Sequence, residues 1–410
     1  MVGLAVRVFK RLASATVVVM IVAGCGTGAA TPNLGAPTTP PASSPTPSSP
    51  TPSGSGGATT PAASPILPII GLFKATGTMT APRTYDTATL LSDGRVLVVG
   101  GQDPNGATLA SAEVFDPRTG TFAATGSMKI PRWGQAATML KDGRVLMTGG
   151  ENDATVPLDS SEIYDPRTGA FAPSGKMAIG RVNHTATLLG DGRVLVAGGS
   201  DSNDGGIASA ELFDPATDKF TATGSMAAGR WGHTATLLRD GRVLVAGGAL
   251  DSGNGIASAE IYDPATGVFA ATGSMETPRL GHAAALLASG LVLVTGGEDD
   301  TGAQVQTAEL FDLATGVFTG TGSMTTTRVG HGATTLASGL VLIAGGVDSS
   351  GAGIATAELF DPTDGTFTAT GSLATARGYQ TQTLLADGEV LIAGGTDGDQ
   401  VFDQAEIYQP

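Results

Sequence analysis

The chain has 410 residues, 61 of them Gly and 23 Pro, and its 37 acidic and 22 basic residues give a formal charge of −15. That acidity excludes a nucleic-acid binder, which needs a basic surface to displace counterions from phosphates. A single Cys excludes a disulfide framework, a cysteine-based zinc site and an iron–sulfur cluster, while 41% hydrophobic residues suffice for a sizeable core.

The N-terminus reads as an address. Arg7, Lys10 and Arg11 form a basic patch, and Leu12 to Ala23 is an apolar run too short to span a bilayer comfortably. It ends in Val22-Ala23-Gly24-Cys25, which resembles a bacterial lipobox. Small residues there admit the peptidase, and the thiol receives lipid. The lone cysteine thus stands where lipidation needs it. Residues 1–24 are expected to be a lipoprotein signal peptide, with Cys25 as the membrane anchor. Cleavage removes three positive charges and takes the formal charge from −15 to −18. More than one acyl chain on the cysteine makes a stable anchor.

Residues 25–66 then read as a tether. No charged residue occurs between Arg11 and Lys74, and 24 of the 35 residues from Thr31 to Pro65 are Pro, Ser or Thr. Such a stretch has nothing to bury and is expected to stay disordered. Its reach is on the order of 35 Å as a coil and about 100 Å when extended as polyproline II. The Ser and Thr density also permits O-glycosylation.

From residue 67 onward one unit repeats seven times. Arg83 recurs at Arg132, Arg181, Arg230, Arg279, Arg328 and Arg377, always 49 residues apart. Gly pairs beginning at Gly100-Gly101 keep the same step. A glutamate follows each pair: Glu113, Glu162, Glu211, Glu260, Glu309, Glu358 and, one residue early, Glu406. Within a unit, Thr87 to Leu91 reads as a first strand (A), and Asp93-Gly94 as a two-residue hairpin turn. Arg95 to Val99 is a second, β-branched strand (B). After a ten-residue loop, Ala112 to Phe115 is a third (C), the Asp116–Gly120 segment a turn, and Thr121 to Thr125 a fourth (D). Four antiparallel strands per repeat describe a propeller blade. The seventh unit stops before its fourth strand, and Phe73 to Met79 matches Phe122 to Met128. An N-terminal strand is therefore expected to complete blade 7 and close the ring, removing open edges.

The recurring Arg-x-x-His, Asp-Gly-Arg-Val-Leu-Val-x-Gly-Gly and Ala-Glu-Φ-(Phe/Tyr)-Asp-Pro segments resemble the kelch-repeat family, within it the bacterial galactose-oxidase-like branch. The resemblance covers about 340 residues. It implies an all-β, seven-bladed propeller over residues 67–410. It implies little about activity, since this fold hosts enzymes and binders alike.

Strand parity puts the D–A and B–C loops on one face and the A–B and C–D turns on the other. The turns are nearly uniform between repeats, whereas the loops vary, so the loop face is the candidate binding face. The seven arginines and seven glutamates are read as structural ion pairs, because a buried charge must be compensated; a guanidinium ring for an anion is the alternative. Three places after each arginine stand Asp86, Gln135, His184, His233, His282, His331 and Gln380. Each histidine falls in a different blade, so strand capping is preferred to a metal site. Trp133 and Trp231 follow their arginines directly, and Tyr85 and Tyr379 hold the next position, where most units have Gly. Blades 1 and 7 are neighbours after closure, which makes Tyr85 and Tyr379 adjacent. Aromatics at a propeller mouth suit a sugar ring or a peptide, with Asp86, Gln135, Asn183 and Gln380 as polar contacts. The acidic B–C loops, such as Asp201 to Gly206 and Glu298-Asp299-Asp300, lack the terminal Glu of a calcium loop and read as Asx turns.

Ala376-Arg377-Gly378-Tyr379-Gln380 is similar to the galactose-oxidase segment whose tyrosine belongs to a copper–radical cofactor. The resemblance would then require a cross-linking Cys and a Tyr-His pair, and the mature chain offers neither. The expectation is a lipid-anchored, extracytoplasmic and monomeric binding module for an envelope glycan or protein, without catalysis, metal, cofactor or nucleic acid. The alternative is an enzyme at the channel mouth around Tyr85, Asp86 and Tyr379.

Overall fold

In the computed structural model, which describes residues 71–410 except Ser252, each repeat forms one antiparallel four-stranded sheet, and there are seven such sheets among the described residues. Blade 1 consists of Thr87–Leu90 (A), Val96–Val99 (B), Ala112–Asp116 (C) and Thr121–Ala124 (D). The A–B hairpin is set by its turn residues. Gly94 adopts φ 87°, and Asp93 Oδ1 accepts a hydrogen bond from the Arg95 amide at 3.1 Å. Leu91 and Arg95, read from sequence as strand ends, close this turn instead: the Leu91 amide donates to Arg95 O at 2.7 Å. The C–D turn works likewise, with Gly120 at φ 65° and its amide donating to Asp116 O at 2.9 Å.

The A strands of neighbouring blades pack against one another in a closed cycle, blade 7 against blade 1 included, so they line the central axis. The B strands are buried on both faces: Val96, Leu97, Val98 and Val99 are all inaccessible. The core lies between the blades as apolar layers. One joins blade 1 to blade 2 through Leu97, Val99, Met128, Met147 and Tyr164. Another joins blade 7 to blade 1 through Met79, Val96, Val98, Leu391 and Ile407.

Leu72–Thr78 pairs antiparallel with Gln404–Gln409, Leu72 opposite Gln409 and Thr78 opposite Gln404. Blade 7 thus takes its D strand from before blade 1, and the protein is a seven-bladed β-propeller. Because a D strand runs from the turn face to the loop face, the chain enters the propeller at Leu72 on the turn face. Cys25 and the Pro/Ser/Thr segment lie outside the described residues.

Candidate functional site at the loop face

Each blade's arginine starts strand A at the loop face and is fully buried. Arg83 Nη2 lies 3.1 Å from Glu113 Oε1, and Arg83 Nη1 donates to Gly100 O at 2.9 Å and Ser111 O at 3.2 Å. The same pairing joins Arg132 to Glu162, Arg181 to Glu211, Arg230 to Glu260, Arg279 to Glu309, Arg328 to Glu358 and Arg377 to Glu406, at 2.9–3.3 Å. The glutamate's remaining capacity goes to the preceding D–A loop: the Thr80 amide donates to Glu113 Oε2 at 2.8 Å. The charges compensate one another, and the guanidinium groups are closed to a ligand. The Gly pairs let the backbones pass here. A Cβ on Gly101 would stand 2.6 Å from Thr84 O.

Three places after the arginine, side chains reach back to the previous blade. Gln135 Nε2 donates to Val99 O at 2.9 Å, and Gln380 Nε2 to Ala344 O at 2.9 Å. His184 Nε2 meets Thr148 Oγ1 at 2.8 Å, His233 meets Thr185 at 3.0 Å, and His282 and His331 meet Thr234 and Thr295 at 2.9 Å. Burial pushes these histidines down to about 3, with the nearby arginine adding to the shift, so they are neutral. Gln135 and Gln380, expected from sequence as ligand contacts, are committed to these junctions. Asp86 holds the same place in blade 1. It is buried, neither carboxyl oxygen has a hydrogen-bond partner, and desolvation raises it to about 7 against the opposing field of Arg83.

Two places after the arginine the backbone is left-handed in every blade. Gly134, Gly232, Gly281 and Gly330 hold φ of 60–65°, where glycine has no Cβ to clash. Tyr85, Asn183 and Tyr379 hold φ of 56°, 55° and 53° in the same position. These residues form a necklace of backbone hydrogen bonds around the mouth. Gly134 N donates to Tyr85 O, and the series continues through Asn183, Gly232, Gly281 and Gly330 to Tyr379, at 2.9–3.3 Å. Between Tyr379 and Tyr85 two rings stack instead, with centroids 4.8 Å apart. Tyr85 also meets Trp133 edge-on at 5.6 Å. The result is an aromatic row, Tyr379–Tyr85–Trp133, crossing blades 7, 1 and 2. Both tyrosines are half-buried. Their phenol groups are held above the ordinary range, chiefly by burial.

The tryptophans are placed differently from the sequence expectation. Trp133 and Trp231 are only 6% and 8% exposed, too little to serve as open stacking platforms. Trp231 packs on Ala249 and Leu280 of the neighbouring loops. Their remaining edges flank a small cavity of about 30 Å³, lined also by Glu151, Val182, Asn183, Ser200 and Asp204. Sequence reasoning missed Glu151, which directly follows a Gly pair, and read Glu298 at the equivalent place in blade 5 only as part of an acidic turn loop. The signal was present, because that position runs Gln102, Glu151, Ser200, Ala249, Glu298, Val347, Thr396 and varies more than any neighbour. Glu298 is raised to about 7 by burial, with Asp299 adding to the shift, and its field reaches Tyr379. The leading aspartates of the B–C loops face their own backbone: Asp201 Oδ1 accepts from Asn203 N at 2.8 Å and Gly205 N at 3.0 Å.

This architecture is a seven-bladed propeller built from kelch-like repeats. The model of the Kelch motif matches residues 83–129, which is blade 1. Among solved structures, the chain is similar to a fungal alcohol oxidase of the AA5 family in complex with copper, at 18% identity and TM-score 0.68, covering 83% of this chain and 76% of that one. It is also similar to a protein titled YjhT, at 14% identity and TM-score 0.57, covering 72% of this chain and 99% of that one. At these identities the likeness concerns the fold. No curated protein matches the chain. The residues present do not fit copper. Each histidine is spent on a threonine at its own blade junction, Tyr379 stacks on Tyr85, and among the described residues no three His, Cys, Asp or Glu side chains converge.

Proposed function

We propose that the protein is an extracytoplasmic lipoprotein whose propeller binds an envelope glycan at the loop face without chemical conversion. In this reading Cys25 carries the acyl chains and residues 25–66 space the propeller from the membrane. The observation that carries the binding role is the left-handed backbone at Tyr85, Asn183 and Tyr379. Four blades solve the same geometry with Gly, so three bulkier residues in a strained conformation, on the order of 1 kcal/mol each, point to a use at the mouth. The tyrosines offer faces for a sugar ring, and the Asn183 amide offers a donor and an acceptor. The tryptophans serve as walls.

The test is thermal unfolding of the protein with a panel of cell-wall oligosaccharides and of envelope proteins. A ligand at 100 times its Kd adds about 2.7 kcal/mol of stability. A shift with an oligosaccharide that disappears in Tyr85→Ala/Tyr379→Ala supports the reading, and a shift confined to a protein partner replaces it. The anchor is tested separately: Cys25→Ser moves the protein from the membrane fraction to the soluble one, and unchanged membrane association refutes lipidation.

A further inference from the structure

Six of the seven blade junctions are bridged by a nitrogen of the later blade and an oxygen of the earlier one. Gln135 and Gln380 aim an amide N–H at the carbonyl groups of Val99 and Ala344, and the four histidines aim Nε2 at a threonine hydroxyl. In blade 7 the equivalent oxygens belong to Ala393 and Thr381, and Thr381 Oγ1 donates to Ala393 O at 3.3 Å. The side chain that comes to them from blade 1 is Asp86, which when ionised can only accept. It also falls short. A Cβ built on Gly100, Gly149, Gly198, Gly247, Gly296 or Gly345 would stand within 2.7 Å of the glutamine nitrogen or imidazole carbon from the next blade, whereas one on Gly394 would stand 3.3 Å from Asp86 Oδ1. Asp86 is 9% exposed, and neither carboxyl oxygen has a hydrogen-bond partner among the described residues. The neighbouring Arg83 is committed to Glu113. A buried carboxylate set against oxygen acceptors is costly unless a positive group stands between them.

We propose that a sodium ion bridges the Asp86 carboxylate to Ala393 O and Thr381 Oγ1 and closes the ring where the two ends of the domain meet. The ion does at this junction what glutamine or histidine does at the other six. One positive charge matches the one carboxylate that has no counter-charge, and all three groups offer oxygen, the ligand type that hard cations take. The shortfall in reach is smaller than a water molecule, so the ion is small and sits there without its hydration shell. The site does not depend on the glycan-binding reading. It lies one residue after Tyr85, so the ion and the Tyr85–Tyr379 stack fasten the same junction.

The experiment is thermal unfolding of the full chain in sodium, potassium, calcium or tetramethylammonium chloride at matched ionic strength. It is run at pH 8, because burial raises Asp86 to about 7 and a proton is the competing occupant. Tetramethylammonium screens surface charge equally but is too large for the junction. The expected result is a midpoint about 2 °C or more higher in sodium than in tetramethylammonium, with a smaller rise in potassium, and a sodium-23 resonance broadened by the protein. Asp86→Gln should abolish both signals and keep a native midpoint, since glutamine at this place bridges the junctions of Gln135 and Gln380 unaided. Asp86→Asn, which keeps the shape and removes the charge, should lose the sodium response as well. Equal midpoints in sodium and tetramethylammonium overturn the site, as does a sodium response that persists in both variants. A rise in potassium as large as in sodium overturns the small ion, and a rise confined to calcium overturns the single charge.

Discussion

At six of the seven blade junctions the side chain three places after the arginine reaches back to the preceding blade as glutamine or histidine, and the left-handed residues at the mouth join backbone to backbone. At the junction of blades 7 and 1, Asp86 stands in that place with no partner, and stacked tyrosines replace the backbone bond. The comparison separates what makes a blade from what closes the ring. The arginine–glutamate pair and the apolar layers are the same at every junction, so they belong to the repeat. The differences gather where the two ends of the domain meet, and the same junction carries both tyrosines of the mouth. In the proposed binding reading, closure and recognition therefore share residues.

The largest effects should come from the shared frame. Arg132→Ala leaves Glu162 buried without its counter-charge, and breaking a buried pair this way costs about 3–5 kcal/mol. Arg377→Ala at the closing blade should cost at least as much, because Arg377 also donates from Nε to Thr375 O and lies over the Phe402 ring. Urea unfolding of both variants checks this, and a markedly milder loss at blade 7 would mean that the seam is not built on the common frame. Trp231→Ala is next. It empties a buried site against Ala249 and Leu280, at about 3–5 kcal/mol. A native thermal midpoint for Trp231→Ala would show that the side chain is open to solvent after all.

The seam itself titrates. Asp86 moves from 3.8 unfolded to about 7 folded, so the folded protein holds a proton that the unfolded chain releases. Its contribution to stability is full below about pH 4 and is lost as pH rises through about 7, with a steepest slope on the order of 1.4 kcal/mol per pH unit. The histidines act in the opposite sense. Their pKa falls from 6.5 to about 3 on folding, so they favour the folded state above about pH 6.5 and lose that contribution as pH falls. Glu298, also raised to about 7, adds to the Asp86 trend. The informative quantity is therefore the difference between wild type and Asp86→Asn, measured by urea unfolding from pH 4 to pH 8. The variant should gain relative stability as pH rises, and a difference independent of pH would show that Asp86 is ionised in the folded ring.

Most of this architecture was legible in the sequence because a propeller is quasi-periodic. The 49-residue step fixes which residues are equivalent, Asp-Gly and Pro-x-x-Gly fix the turns, and the match of Phe73–Met79 to Phe122–Met128 fixes the closing strand. The arginine–glutamate pairing was readable from the same periodicity, as was the contact of Tyr85 with Tyr379. The burial of the tryptophans was not. Their position is loop-like in sequence, but the isolated bridges Trp133–Glu151 and Trp231–Ala249 fold the B–C loops over them. Gln135 and Gln380 misled for a related reason: an amide at a loop–strand boundary reads equally as a ligand contact or as a bridge, and only the register shows the carbonyl it reaches. Glu151 was overlooked because it follows the most uniform element of the repeat, and Glu298 was read only as the first residue of an acidic turn loop because its burial does not show in the sequence.

The smallest effect bears most directly on what the mouth is for. Asn183 is held at φ 55°, has no aromatic stack to lose, and occupies a place where Gly serves in four other blades. Asn tolerates this conformation better than most residues, so Asn183→Gly should change stability by only a few tenths of a kcal/mol, upward if strain relief outweighs the entropy that Gly adds to the unfolded chain. The backbone bonds through residue 183, from its amide to Gly134 O and from Gly232 N to its carbonyl, need no side chain. If Asn183 is retained for recognition, Asn183→Gly loses oligosaccharide affinity at an unchanged thermal midpoint, whereas Gly134→Asn gains strain against Val182 and Asn183 and recovers no binding. If Asn183→Gly instead lowers the midpoint by several degrees, the side chain is part of the frame, and the asymmetry of the mouth reflects packing alone.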